Sequence, residues 1–215
     1  MTDLFFTEKK CAMCGHVEEY RELCSTNQNG YVDLDTRPPE TARSALKYDV
    51  QLCEECGFSN GDISKKIEGI NVEDLNETQY RATFKDNSTD ACAKAFLLSG
   101  HLYQNAGQFR TAGICFLKAA WVFDDKRKKD HSMQARNRAI ENLNKYFDKS
   151  SEINLNAVLV DIYRRVGRFE EAEEIAGRLI EQGTEDTIKK ILRFQIKLCQ
   201  KKNPRCHTVK KVLRD

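Results

Sequence analysis

The chain has 215 residues and 24.8 kDa, 40% of them hydrophobic, with 35 Lys+Arg against 33 Asp+Glu for a net charge of +2. That composition supports a folded core and excludes a disordered or collagen-like chain, and no apolar run approaches the roughly 18–20 residues that cross a bilayer. Residues 1–10 lack the basic start, apolar stretch and small-residue cleavage site of a secretory leader, so a cytoplasmic setting is expected, where nine cysteines do not form a disulfide framework.

The near-neutral total averages two unlike segments. Residues 1–75 carry 8 Lys+Arg against 15 Asp+Glu, a net of −7, and the remainder carries 27 against 18, a net of +9. Five cysteines (Cys11, Cys14, Cys24, Cys53 and Cys56) lie in the acidic segment. Residues 1–68 read as a small β module. Leu4-Phe5-Phe6-Thr7 and Tyr48-Asp49-Val50-Gln51-Leu52 are strand-like, and each precedes a Cys-x-x-Cys-Gly motif, Cys11 to Gly15 and Cys53 to Gly57. Two thiolates at this spacing on a tight turn occupy neighbouring vertices of a tetrahedron, and the glycine permits the left-handed backbone that closes the turn. Two such knuckles complete a four-thiolate shell. This is a zinc-ribbon pattern, and iron fits the same four ligands.

The 38 residues between the knuckles exceed the roughly 15–20 usual for paired motifs, which points to an insertion. Within it, Asn27 to Gly30 is a turn signal, and Asp33 to Glu40 is a charged loop stiffened by Pro38 and Pro39. Asp33, Asp35, Arg37 and Glu40 are candidate partner-binding residues; the alternative is that Asp35 and Arg37 pair locally and pin the insertion to the ribbon. Cys24 and His16 are spare ligands by chemistry. A metal contributes on the order of 10–16 kcal/mol to so small a fold, so a chelator is expected to unfold this half first.

Residues 69–90 read as a connecting segment, and helical periodicity starts at Ala91, where Asp90 offers an N-cap. Ala95, Leu98 and Tyr103 share one side of a first helix, Asn105 to Gln108 breaks it, and Ala112, Cys115, Phe116 and Ala119 line the next. Leu155, Val158, Leu159 and Ile162, a turn at Arg165 to Arg168, and Ala172, Ile175, Ala176 and Leu179 repeat the pattern. Helices at about 131–147 and 186–200 complete an all-α region spanning 91–202. Cys92, Cys115, Cys199 and Trp121 read as core residues. The spacing of Gly100, Tyr103, Gly107, Phe109, Ala112, Phe116 and Ala119 resembles a tetratricopeptide repeat, and Tyr163, Gly167, Phe169, Ala172 and Ala176 repeat part of it. Val160 stands where such a repeat has a small residue, and the turn glycines are 60 residues apart, short of two 34-residue periods. That resemblance implies a helical hairpin array with a groove for a protein or peptide partner.

Residues 203–215 form a basic tail containing Cys206-His207. Its Arg205, Lys210, Lys211 and Arg214, together with Lys201, Lys202 and the run Lys126 to Lys129, support nucleic-acid binding as the alternative function, although neither cluster is interleaved with stacking aromatics. A metal-dependent enzyme is the second alternative. No phosphate-binding loop, nucleophile elbow or His-Glu-x-x-His motif supports it, and the four histidines (His16, His101, His131 and His207) are scattered. The knuckle pair, the Asp33 to Pro39 string and the helices together resemble an uncharacterised bacterial family combining a zinc ribbon with helical repeats. The resemblance implies metal binding and a cytosolic adaptor role. The expectation is therefore a non-enzymatic, zinc-stabilised interaction protein with a protein or peptide partner and no membrane association.

Overall fold

The computed structural model describes residues 2–147 and 152–213; Arg214 of the basic tail lies outside the described residues. Strands β1 (Thr2–Lys10) and β2 (Val17–Thr26) form an antiparallel ribbon running from Thr2 opposite Thr26 to Lys10 opposite Val17. The register breaks where Asp3 faces Ser25 and Leu4 faces Leu23, which leaves Cys24 as the extra residue of the longer strand. The strand expected around Leu4 to Thr7 is thus longer than the apolar run. It also holds Leu4, Phe5 and Phe6 at the surface rather than in a core.

After helix α1 (Ala42–Ala45), residues Leu46–Tyr48 make a 3-10 turn closed by the Asp49 amide on the Leu46 carbonyl. The extended run expected from Tyr48 shrinks to β3 (Gln51–Leu52), paired with β4 (Ser59–Asn60). The connecting segment contains two helices, α2 (Val72–Leu75) and α3 (Thr78–Lys85). The mostly helical remainder comprises α4 (Ala91–Asn105), α5 (Phe109–Asp125), α6 (Lys129–Phe147), α7 (Ile153–Arg165), α8 (Phe169–Glu181), α9 (Asp186–Gln200) and α10 (Val209–Val212).

Local chemistry sets these boundaries. Asp90 accepts the Cys92 and Ala93 amides and so starts α4, and the left-handed Gly107 separates α4 from α5. At Gly100 a β-carbon would stand 2.8 Å from the Phe116 ring, so the missing side chain is what lets α4 and α5 approach. Cys115, Cys199 and Trp121 are buried as expected, while Cys92 is partly exposed.

Packing groups the chain into two units, residues 1–28 with 41–142, and residues 29–40 with 143–215. These units and the composition-based segments (1–68, 69–90, 91–202 and 203–215) cut the chain at different places. In the first unit, Cys11, Cys53, Phe58 and Ile63 share one core with Tyr80 of α3 and Leu98 and Leu102 of α4. In the second, Leu34 packs with Leu198 and Val212, and the Leu34 amide bonds the His207 carbonyl at 2.9 Å.

The ribbon is tied down by charge. Lys9 Nζ lies 2.6 Å from Glu22 and 2.9 Å from Asp62. Burial opposes the Lys9 charge but its two carboxylate bonds outweigh that and raise its pKa, while the same lysine holds Glu22 and Asp62 below the ordinary carboxylate range. Depressed carboxylate pKa values mean stability that is complete above about pH 5 and lost as pH falls through the lowered values, whereas a Lys9→Met variant loses this acid dependence. Acid titration of ribbon unfolding in the two proteins, followed by tyrosine fluorescence, checks this.

Candidate metal centre

The Cys-x-x-Cys-Gly segments fold into matching turns at the tips of the two hairpins. In the first, the Gly15 amide donates to the Cys11 carbonyl (3.0 Å) and the Cys11 amide to the His16 carbonyl (2.7 Å). In the second, the Gly57 amide donates to the Cys53 carbonyl (2.8 Å) and the Cys53 amide to the Phe58 carbonyl (2.9 Å). Gly15 and Gly57 have φ of 78° and 85°, the left-handed region that favours glycine. Equivalent bonds on equivalent residues hold the two thiols of each turn on one side.

The turns face each other crosswise. Cys11 Sγ is 3.7 Å from Cys56 Sγ and Cys14 Sγ is 3.6 Å from Cys53 Sγ, with all four sulfurs within 4.8 Å of one another. Zinc with Zn–S bonds of about 2.3 Å in a tetrahedron requires edges of about 3.8 Å, which this cage nearly matches. The distances are far beyond a disulfide bond of about 2.05 Å, so the cage holds four separate sulfur donors. Burial pushes the Cys53 thiol up to about 11 and also raises Cys56, whereas at Cys14 burial is outweighed by the His16 amide and the surrounding thiols, and the pKa falls. Burial thus penalises the thiolates of Cys53 and Cys56, a cost that a cation held by the four sulfurs would offset.

Helix α3 supports the cage from within the segment that reads as a linker. Tyr80, fully buried, donates its hydroxyl to the Gly57 carbonyl at 2.7 Å, and Arg81 Nη1 reaches the Cys56 carbonyl at 3.3 Å. A β-carbon on Gly57 would meet the Phe84 ring at 3.0 Å, so the knuckle and the helix are in close contact. Tyr80→Phe leaves a buried carbonyl without its donor and is expected to cost about 1–3 kcal/mol. Thermal melts and the rate of metal transfer to a chelator measure that cost; the rate should rise.

The remaining candidates lie outside the cage. Cys24 and His16 are exposed and neither joins the four-sulfur cluster among the described residues. Of the charged loop, Glu40 is exposed, but Asp33, Asp35 and Arg37 are only 4, 0 and 4% exposed, which takes them out of a partner's reach in this conformation. The loop is a tight turn: the Thr36 amide donates to the Asp33 carbonyl and the Asp33 amide to the Arg37 carbonyl, both at 2.9 Å. The Arg37 amide reaches Asp35 at 3.4 Å, and Asp35 also pairs with Arg165 at 3.4 Å. Asp35 is therefore held by a residue of the C-terminal half and not only by its own loop. Partial burial, together with Lys211, Arg164, Arg165 and Arg205, shifts His207 down to about 4.

Residues 6–199 match a family model described as "Uncharacterized protein conserved in bacteria (DUF2225)". No curated protein and no solved structure matches the chain. No helix among the described residues is long and apolar enough to cross a membrane.

Proposed function

The chain belongs to the DUF2225 family, and from that membership together with its four-thiol cage we propose that it is a zinc-stabilised interaction protein whose helices bind a protein or peptide partner. The carrying observation is the closed cage. Cys11, Cys14, Cys53 and Cys56 supply a complete tetrahedral shell, whereas a catalytic zinc keeps one position open for water or substrate. The metal then has a structural part: it locks the two knuckles to each other and to the core that they share with α3 and α4. Iron in the same shell would support the same architecture.

The partner surface is assigned to the helical hairpins. Gly107 and Gly167 end α4 and α7 in the left-handed conformation, and each is followed by a second helix packed back on the first. The close approach at Gly100 and Phe116 is the packing that a tetratricopeptide-like hairpin uses, and such hairpins present side chains to extended peptides. Elemental analysis of the purified protein should give about one zinc per chain, the stoichiometry of a single four-thiolate shell. Affinity capture with and without nuclease should retain protein partners in both samples. Partners that vanish with nuclease, or release steeply dependent on salt, would instead place the protein on nucleic acid through Lys126 to Lys129 and the basic tail.

A further inference from the structure

Strand β1 carries an unusual surface. Leu4, Phe5 and Phe6 are 37, 47 and 57% exposed, three consecutive large apolar side chains on one strand. Leu4 and Phe6 point to one face of the ribbon and Phe5 to the other. The partner strand β2 lies toward the rest of its unit: it packs against α1 and the 3-10 turn, and Tyr20 and Glu22 bond Leu52 and Gln51. Among the described residues, β1 has only β2 as a strand neighbour, so its outer edge carries a row of backbone groups without ladder partners. A long apolar edge is what folded proteins ordinarily shorten, charge or cover, and a two-stranded ribbon is marginal without further strands.

We propose that this edge is covered by a second copy of the chain, with β1 pairing antiparallel to β1 of the partner subunit about a two-fold axis at Phe5, so that the two ribbons form one four-stranded sheet. The strand's own sequence selects the partner and the register. Centred on Phe5, Phe5 faces Phe5 of the partner subunit, Leu4 faces Phe6 of the partner subunit, Asp3 faces Thr7 of the partner subunit, and Thr2 faces Glu8 of the partner subunit. Every large apolar residue meets another, and no like charges stand opposite. Other registers lose this match. An axis at Phe6 sets Leu4 against Glu8, and one at Thr7 sets Phe6 against Glu8 and Phe5 against Lys9, which is already engaged by Glu22 and Asp62. The two-fold pairing is closed, since both copies use the same β1 edge, and so gives a dimer rather than a fibre.

The test is light scattering on the whole metal-loaded chain over a concentration series. The wild type should be dimeric. Phe5→Glu sets two carboxylates opposite each other on the axis and should raise the dimer dissociation constant by about tenfold or more, with metal content and helical signal unchanged. Phe5→Lys should do the same, and mixing the two variants should restore a dimer through the opposite charges. Leu4→Lys, off the axis, provides a second disruptive variant should an axial substitution fail to fold. A wild type that is monomeric throughout the series, or a dimer that persists unchanged in the folded Phe5 or Leu4 variants, would overturn the proposal.

Discussion

Replacing Cys53 with serine is expected to abolish metal binding and to unfold the first unit, the largest effect of any single substitution in that unit. Cys53 has no exposure, belongs to the core, and donates the amide that closes its own knuckle. Structural zinc in a four-thiolate shell contributes about 10–16 kcal/mol of apparent folding energy, as much as or more than the about 5–15 kcal/mol net stability of a domain. Loss of the ion therefore cannot be absorbed. Because the same core includes Tyr80, Leu98 and Leu102, the collapse extends beyond the knuckles, and helical signal should fall together with metal release rather than after it. Cys14→Ser should be milder, since Cys14 is exposed and solvent can replace its sulfur. Metal content and circular dichroism melts of the two variants, with and without chelator, check the ranking; a Cys53→Ser protein that kept its metal and its melting transition would refute the structural role assigned to the cage. Metal retention should also weaken as pH falls, because protons compete with the ion for the same four thiolates.

The cage was legible because ligand chemistry is written in local spacing: two cysteines three apart, followed by glycine, specify the turn wherever it sits. The crosswise pairing of Cys11 with Cys56 and Cys14 with Cys53 depends on how the hairpins meet and has no local signature. The Asp33 to Glu40 loop was harder to read for a related reason. Charged residues between prolines resemble an exposed loop until their counter-charges are known, and Arg165 lies 130 residues from Asp35 in sequence. Helix α3 escaped notice because it is eight residues long and buries one residue completely, Tyr80, so it has no apolar stripe to detect. At Leu4 to Phe6 the apolar run marked a strand but carried no sign of its exposure, which follows from the ribbon leaving those side chains at the surface.

Replacing Arg164 with methionine should destabilise the second unit by about 3–5 kcal/mol, because it removes one partner of a buried ion pair and strands the other. Arg164 has no exposure and its Nη2 lies 2.5 Å from Asp161, itself 2% exposed. The same guanidinium donates through Nη1 to the carbonyls of Asn203 (2.5 Å) and Arg205 (2.9 Å), so it also fixes the path of the chain leading into the tail. Arg168→Ala is the control: it breaks a pair with Glu171 in which both side chains are more than two-fifths exposed, and exposed pairs contribute only about 0–1 kcal/mol. The sign of the pH dependence separates a stranded charge from lost packing. Burial already raises the Asp161 pKa against the pull of Arg164, and without the arginine it rises further. A carboxyl whose folded pKa lies above its unfolded value of about 3.9 destabilises the fold when ionised, so the deficit should be complete above the raised folded pKa and should shrink as pH falls toward the unfolded one. Urea unfolding of the Arg164→Met protein at descending pH measures this, and trypsin should cut at Arg205 faster than in the wild type. A deficit that did not change with pH would assign the loss to packing. Adding Asp161→Leu removes the stranded carboxylate and should recover much of the stability, since a buried ion pair replaced by apolar residues is often no less stable than the original.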